Sequence, residues 1–222
     1  MKIKQSKFII SFGLVFSLVL IFYILFLQNQ IHEEKLVIHI IFYFVLLIYF
    51  GRYFYLINFI KKRKVTFQLI EKQTNPILID TYVGLFLFCI LPIILASVNN
   101  KYNNELAWTN FTAFLTYFVG TLITLISESQ RRIWKKENEN KIFKDGLFKY
   151  ANHINYFGET LSFPALCWLA SGHIIIFLAV FIHQIVDFVY IQIPKQEKYL
   201  KNKYLEDFKK IRNKKKLIPF VY

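Results

Sequence analysis

Residues 8–27, FIISFGLVFSLVLIFYILFL, form an uncharged stretch that limits what this chain can become more than any other feature. As a helix rising ~1.5 Å per residue, it crosses the ~30 Å hydrocarbon core of a bilayer. It exceeds the apolar region of a signal peptide, and no small-x-small cleavage site follows, so it is expected to stay as an anchor. Further apolar runs cover residues 36–60, 77–97 and 106–126. After Glu159 a long apolar region reaches Ile193, broken at Ala170-Ser171-Gly172-His173. It reads as two closely spaced spans, the fifth kinked or shortened near Pro164. The fold class expected is all-α, a polytopic membrane helix bundle of about six transmembrane helices.

Composition agrees with this reading. At 55% hydrophobic and 19% aromatic residues, 222 residues carry more apolar surface than a soluble domain can bury, and disorder is excluded. The same chain has 28 Lys+Arg against 14 Asp+Glu, a formal +14. Twenty-five of the 28 basic residues lie in four segments: the N-terminus, residues 61–72, residues 131–149 and the tail from Lys195. The loops between hold Lys35 and Lys101 alone. That alternation places the N- and C-termini in the cytoplasm. Nucleic-acid binding needs a basic face with readout groups, and no such motif is present. Cys89 and Cys167 both fall inside spans, so no disulfide framework is implied, and no metal site is read.

Spans one to four read as scaffold, with Arg52, His39 and Asp80 as their polar exceptions. Arg52 and Asp80 sit near cytoplasmic span ends, where snorkelling accounts for them, a ligand phosphate being the alternative for Arg52. The chain changes character at Glu128. A basic segment, ESQRRIWKKENENKIFKDG, leads into LFKYANHINYFGETLSFPALCWL, so Tyr150, Asn152, His153, Asn155, Tyr156 and Glu159 gather where the fifth span begins. On a helix, Asn155, Tyr156 and Glu159 share a face. That face offers an amide, a phenol and a carboxyl group, a set able to move a proton; an interfacial anchor is the competing use of the same residues. Asp187 and His183, one turn apart in the sixth span, are placed to pair. In the tail, Leu200, Tyr204, Phe208 and Ile211 form an apolar stripe opposite a lysine-rich face. Such a helix lies on anionic lipid or closes over a phosphorylated cofactor.

The string GLFKYANHINYFGE, the apolar hairpin after it, and then IPKQEKYL and a terminal LIPF resemble the C-terminal domain of the steroid 5-alpha-reductase family, in particular its bacterial branch. The superfamily also contains sterol reductases and isoprenylcysteine carboxyl methyltransferases. The resemblance covers residues 128–222, and the first four spans match in hydropathy alone. It implies a scaffold of residues 1–127 and a reductase-like region of residues 128–222. It further implies an NADPH-dependent reductase acting on the CH–CH group of a lipophilic substrate, a double bond conjugated to a carbonyl. Asn155 corresponds to the Asn at the nicotinamide, Tyr199 to a tail tyrosine near the cofactor phosphates, and Glu159 to the acid beside the reaction centre. Glu159 and Tyr156 are then the catalytic candidates. Asn155, Tyr150, His153, Tyr199, Glu197, Arg131 and Arg132 are the cofactor-binding candidates. Asn152-His153-Ile154 stands where the bacterial branch shows Arg-His-Pro, leaving Arg131, Arg132 or Lys149 to replace that arginine, and spans one to four hold no intramembrane Glu. The superfamily also implies S-adenosylmethionine-dependent methyl transfer as an alternative, and a non-catalytic protein retaining the fold as a third. The expected partners are the bilayer and a lipophilic small molecule, not nucleic acid, and the expected location is a bacterial plasma membrane.

Overall fold

The computed structural model describes residues 3–28, 33–55, 86, 90–102, 108–138, 141–204, 207–208 and 216–219. Every regular element among them is helical. In chain order they are α1 (Ile3–Phe26), α2 (Glu33–Tyr55), α3 (Leu91–Tyr102), α4 (Trp108–Lys135), α5 (Ile154–Ser171), α6 (Ile174–Asp187) and α7 (Ile193–Lys203). A 3-10 turn at Gly146–Lys149 precedes α5, and a π-helical turn at Phe188–Gln192 joins α6 to α7. The chain is an all-α membrane bundle. Four stretches among the described residues are long and apolar enough to cross a membrane: Phe8–Phe26, Lys35–Tyr55, Trp108–Lys135 and Ile174–Lys203. Asp80, Cys89 and the basic segment 61–72 lie outside the described residues, as does most of the expected third span.

The chain divides into two compact units. Unit 1 is Met1–Asn110 with Leu169–Gly172; unit 2 is Phe111–Trp168 with His173–Tyr222. In unit 1, α1 packs against α2 and α3. Its buried positions, Ile10, Leu14, Ser17, Ile21 and Leu25, recur at three and four residues and define a single stripe. The remaining face is just as apolar but exposed, with Phe8, Phe12, Phe16 and Val19 all outward. A helix apolar on every side needs a lipid solvent for the face its neighbours leave uncovered. Asn side chains supply polar ties: Asn100 donates to the Ile24 carbonyl at 3.2 Å, and Asn99 to the Leu169 carbonyl at 3.1 Å. His39 is buried here, its ring edge-to-face with Phe26. Arg52 is buried in the last turn of α2 with its guanidinium over the Tyr53 ring.

In unit 2 two helices are longer than a bilayer requires. At ~1.5 Å per residue, α4 is about 42 Å long, so its last turns stand clear of the ~30 Å hydrocarbon layer. Those turns carry Glu128, Arg131, Arg132 and Lys135. The run from α6 through α7 is comparably long, and α7 is polar, with Gln196, Glu197 and Tyr199. Helix α5 runs through Pro164 and ends at Ser171, where Gly172 takes a left-handed φ of 75° and closes the helix. The polar ends of α4 and α7 and the first turn of α5 thus supply the groups for a site.

Candidate functional site

Helices α4 and α5 approach unusually closely. A Cβ on Gly120 would lie 2.6 Å from both the Gly158 carbonyl oxygen and the Ser162 nitrogen, so only glycine fits. Beside this contact the Thr124 hydroxyl reaches the Gly120 carbonyl of its own helix at 3.1 Å and the Asn155 carbonyl of α5 at 3.3 Å. One turn further along α4, Glu128 meets the Asn155 side chain, whose amide donates to its Oε1 at 3.0 Å. Arg131, one turn beyond Glu128, donates to that same Oε1 at 2.6 Å and also pairs with Oε2. Its guanidinium lies over the Phe148 ring at 5.7 Å.

Just ahead of α5, the His153 backbone N–H donates to the Lys216 carbonyl at 2.8 Å, while its own carbonyl accepts from Tyr156 and Phe157 and opens the helix. The His153 ring is buried, and its Nε2 makes no hydrogen bond; the nearest acid is Glu197, 4.0 Å away. Burial first, and then the positive charges of Arg131 and Lys216, push the imidazole down to about 4, so it is neutral near pH 7. Glu197 is engaged on its other oxygen by Lys216 at 3.1 Å. The Tyr156 ring stacks on His153 at 5.5 Å and on Phe188 at 4.7 Å, and its hydroxyl donates to Gln196 at 3.3 Å. Arg131, Glu128, Glu159 and Asp187 are all close enough to act electrostatically on that phenol.

A second cluster surrounds Tyr204. Lys135 donates to its hydroxyl at 3.1 Å and sits over its ring, and Lys203 lies over both the Tyr204 and Tyr199 rings. Burial would raise the Tyr204 phenol, but hydrogen bonds from the two lysines bring it below its ordinary value. Leu200, Tyr204 and Phe208 of the sequence-derived stripe pack on Ile142, and Ile142 donates its backbone N–H to Asp207. The stripe therefore covers protein rather than lipid over the described residues. The helix breaks at Tyr204, whose φ of −135° and ψ of 54° are non-helical.

Of the residues singled out from sequence, Asn155, Tyr156, His153, Glu197 and Arg131 form one connected group, with Glu159 electrostatically in range. Tyr199 belongs to the lysine–tyrosine cluster instead. Tyr150 is 51% exposed just after the 3-10 turn, and Arg132 is half-buried on α4. The expected His183–Asp187 pair does not form; Gln192 donates to both Asp187 oxygens, at 3.3 and 3.1 Å. The π-helical turn explains the difference, because an i to i+5 backbone brings residues five apart onto one side. Sequence reading gave no role to Glu128, Thr124, Gln196 or Lys216. Glu128 had a local signal, its i,i+3 spacing to Arg131, whereas Gln196 and Lys216 join the site only through the tertiary fold.

Three comparisons bear on this site. The profile of the DUF1295 family, described as proteins of unknown function, matches residues 3–215. The chain is 33% identical to mouse 3-oxo-5-alpha-steroid 4-dehydrogenase 1 over 53% of its own length and 50% of that protein's. It is 30% identical to the rat protein of the same name, over 75% of this chain and 65% of the relative. The matched region thus spans between half and two thirds of these curated relatives.

Proposed function

The chain belongs to the DUF1295 family and is steroid 5-alpha-reductase-like, and from that premise we propose an NADPH-dependent membrane oxidoreductase. Its reaction is reduction of a carbon–carbon double bond conjugated to a carbonyl in a lipophilic substrate, within a bacterial plasma membrane. The observation that carries this reading is the buried Asn155 amide held by Glu128 at the mouth of α5. The donor set suits a nicotinamide dinucleotide phosphate. Nε2 of His153 and Nζ of Lys195 are buried without a hydrogen-bond partner among the described residues, and buried polar atoms are rarely left so. Arg131, Lys135, Lys203 and Lys216 add positive charge for an anion.

On this reading Asn155 and His153 hold the nicotinamide end, and Tyr199 with the surrounding lysines holds the phosphates. Tyr150, Glu197, Arg131 and Arg132 complete the cofactor contacts. NADPH, when bound, supplies a hydride equivalent. The protein's own part is to polarise the substrate carbonyl and deliver a proton. Tyr156, fixed by stacking and by Gln196, and Glu159, one turn further along α5, are the groups for that work. The lipid-exposed apolar faces suit a substrate that arrives from the bilayer.

Thermal shift in detergent tests the proposal, because a ligand that binds only the folded state raises the melting temperature. NADPH at a hundred times its Kd should add about 2.7 kcal/mol, and Asn155→Ala should remove that gain while His39→Ala keeps it. Stabilisation by S-adenosylmethionine alone would replace the reductase with a methyltransferase. Silence from both cofactors would favour a non-catalytic protein.

A further inference from the structure

We infer that Glu128 is a positioning residue that holds the Asn155 amide in one of its two orientations, so that the site offers a carbonyl acceptor and selects a ligand bearing an N–H donor, a primary carboxamide. The inference rests on the nicotinamide reading of the site and specifies how that end of the cofactor is chosen.

An Asn side chain presents a donor and an acceptor that a half-turn of the amide exchanges. Which of them faces the ligand is a matter of chemistry, decided by the neighbour on the other side. Glu128 is ion-paired to Arg131, and a carboxylate in such a pair only accepts. The group of Asn155 lying 3.0 Å from Oε1 must therefore be the N–H2. Turning the amide over would set its oxygen against a carboxylate oxygen at hydrogen-bond distance, a repulsion with no compensating contact.

The remaining interactions fix the Asn155 backbone but leave its side-chain oxygen open. The Thr124 hydroxyl is directed at the Asn155 main-chain carbonyl, and among the described residues no donor reaches the side-chain oxygen. Asn155 as a residue is 9% exposed. An acceptor left open beside an amide held on its other side is available to a ligand that donates. Nearby, the buried His153 Nε2 is likewise unbonded. Arg131 occupies the Glu128 carboxylate from the other side, and Glu128 in turn holds the guanidinium on α4.

The test compares NADP+ with its 3-acetylpyridine analogue, in which a methyl ketone replaces the carboxamide and both N–H donors are lost. Purified wild-type protein should bind NADP+ about ten-fold more tightly than the analogue, the size of one net hydrogen bond. In Glu128→Gln the neighbour can donate as well as accept, so the Asn155 amide is free to turn over and the preference should fall towards unity. Glu128→Asp, which keeps an acceptor-only group, should retain part of it. Melting without ligand reports whether each variant folds, and the wild-type ratio needs no variant. Equal affinity of the wild type for both dinucleotides, or an unchanged ratio in folded Glu128→Gln, overturns the inference and leaves the cofactor reading standing. Failure of the wild type to bind either dinucleotide overturns both.

Discussion

At the residue scale, two buried histidines differ in what surrounds them. His39 and His153 are both buried histidines with unbonded ring nitrogens. His39 lies among Phe26, the Leu25 carbonyl and Lys35, a setting with little chemistry in it. His153 lies against Tyr156, Glu197 and Arg131, and its depressed value follows from burial among positive charges. Between pH 6.5 and about 4 the unfolded chain binds a proton at this position that the folded chain excludes, so folding stability falls as the pH is lowered through that window. Melting temperatures recorded from pH 7 to pH 4 should therefore decline more steeply for wild type than for His153→Gln, and parallel profiles would contradict the assignment. Asn155, Tyr156 and His153 were legible in the sequence because polar side chains crowd the entrance to an apolar run. Gln196, which meets Tyr156, and Lys216, which meets Glu197, were not, since contacts across 40 and 19 residues leave no local pattern.

At the element scale, the site depends on how closely α4 and α5 approach. The glycine contact at Gly120 and Gly158 brings the two backbones near enough for the Thr124 hydroxyl and the Glu128 carboxylate to reach across to Asn155. A methyl on Gly120 would strike the Gly158 carbonyl oxygen, the Ser162 nitrogen and the Leu161 Cβ, none of which can rotate away. Gly120→Ala is expected to cost about 1–3 kcal/mol in stability, as overpacking does, and, on the proposed cofactor reading, to weaken NADPH binding by separating Glu128 from Asn155. Gly51→Ala, where a Cβ meets nothing within 4 Å, is the control and should be neutral or slightly stabilising. Melting and cofactor titration of the two variants side by side make the comparison; equal effects would mean that the glycine contact plays no part in the site. The π-helical turn is the element that local reading missed, because periodicities of three and four say nothing of a five-residue offset.

At the scale of the whole molecule, charge and hydropathy organise the chain along the membrane normal. The basic segments predict that an alkaline phosphatase fused after Tyr222, active only outside the cytoplasm, stays inactive, whereas one inserted between residues 28 and 33 is active; the opposite result would invert the topology. Such large-scale features were determined by sequence alone. Hydrophobic length and charge placement act through the solvent, and a bilayer reads them without reference to any particular contact. Helix type, approximate span limits, the break at Gly172 and the polar entrance of α5 belong to this class. What only the tertiary structure decided is which groups meet. It paired Glu128 with Asn155, turned Gln192 towards Asp187, left the His153 Nε2 unbonded beside Glu197, and laid the tail stripe on Ile142 instead of lipid. The physical reason is range: burial is an averaged property of a segment, while a hydrogen bond depends on two side chains meeting within about 3 Å, which only packing can arrange.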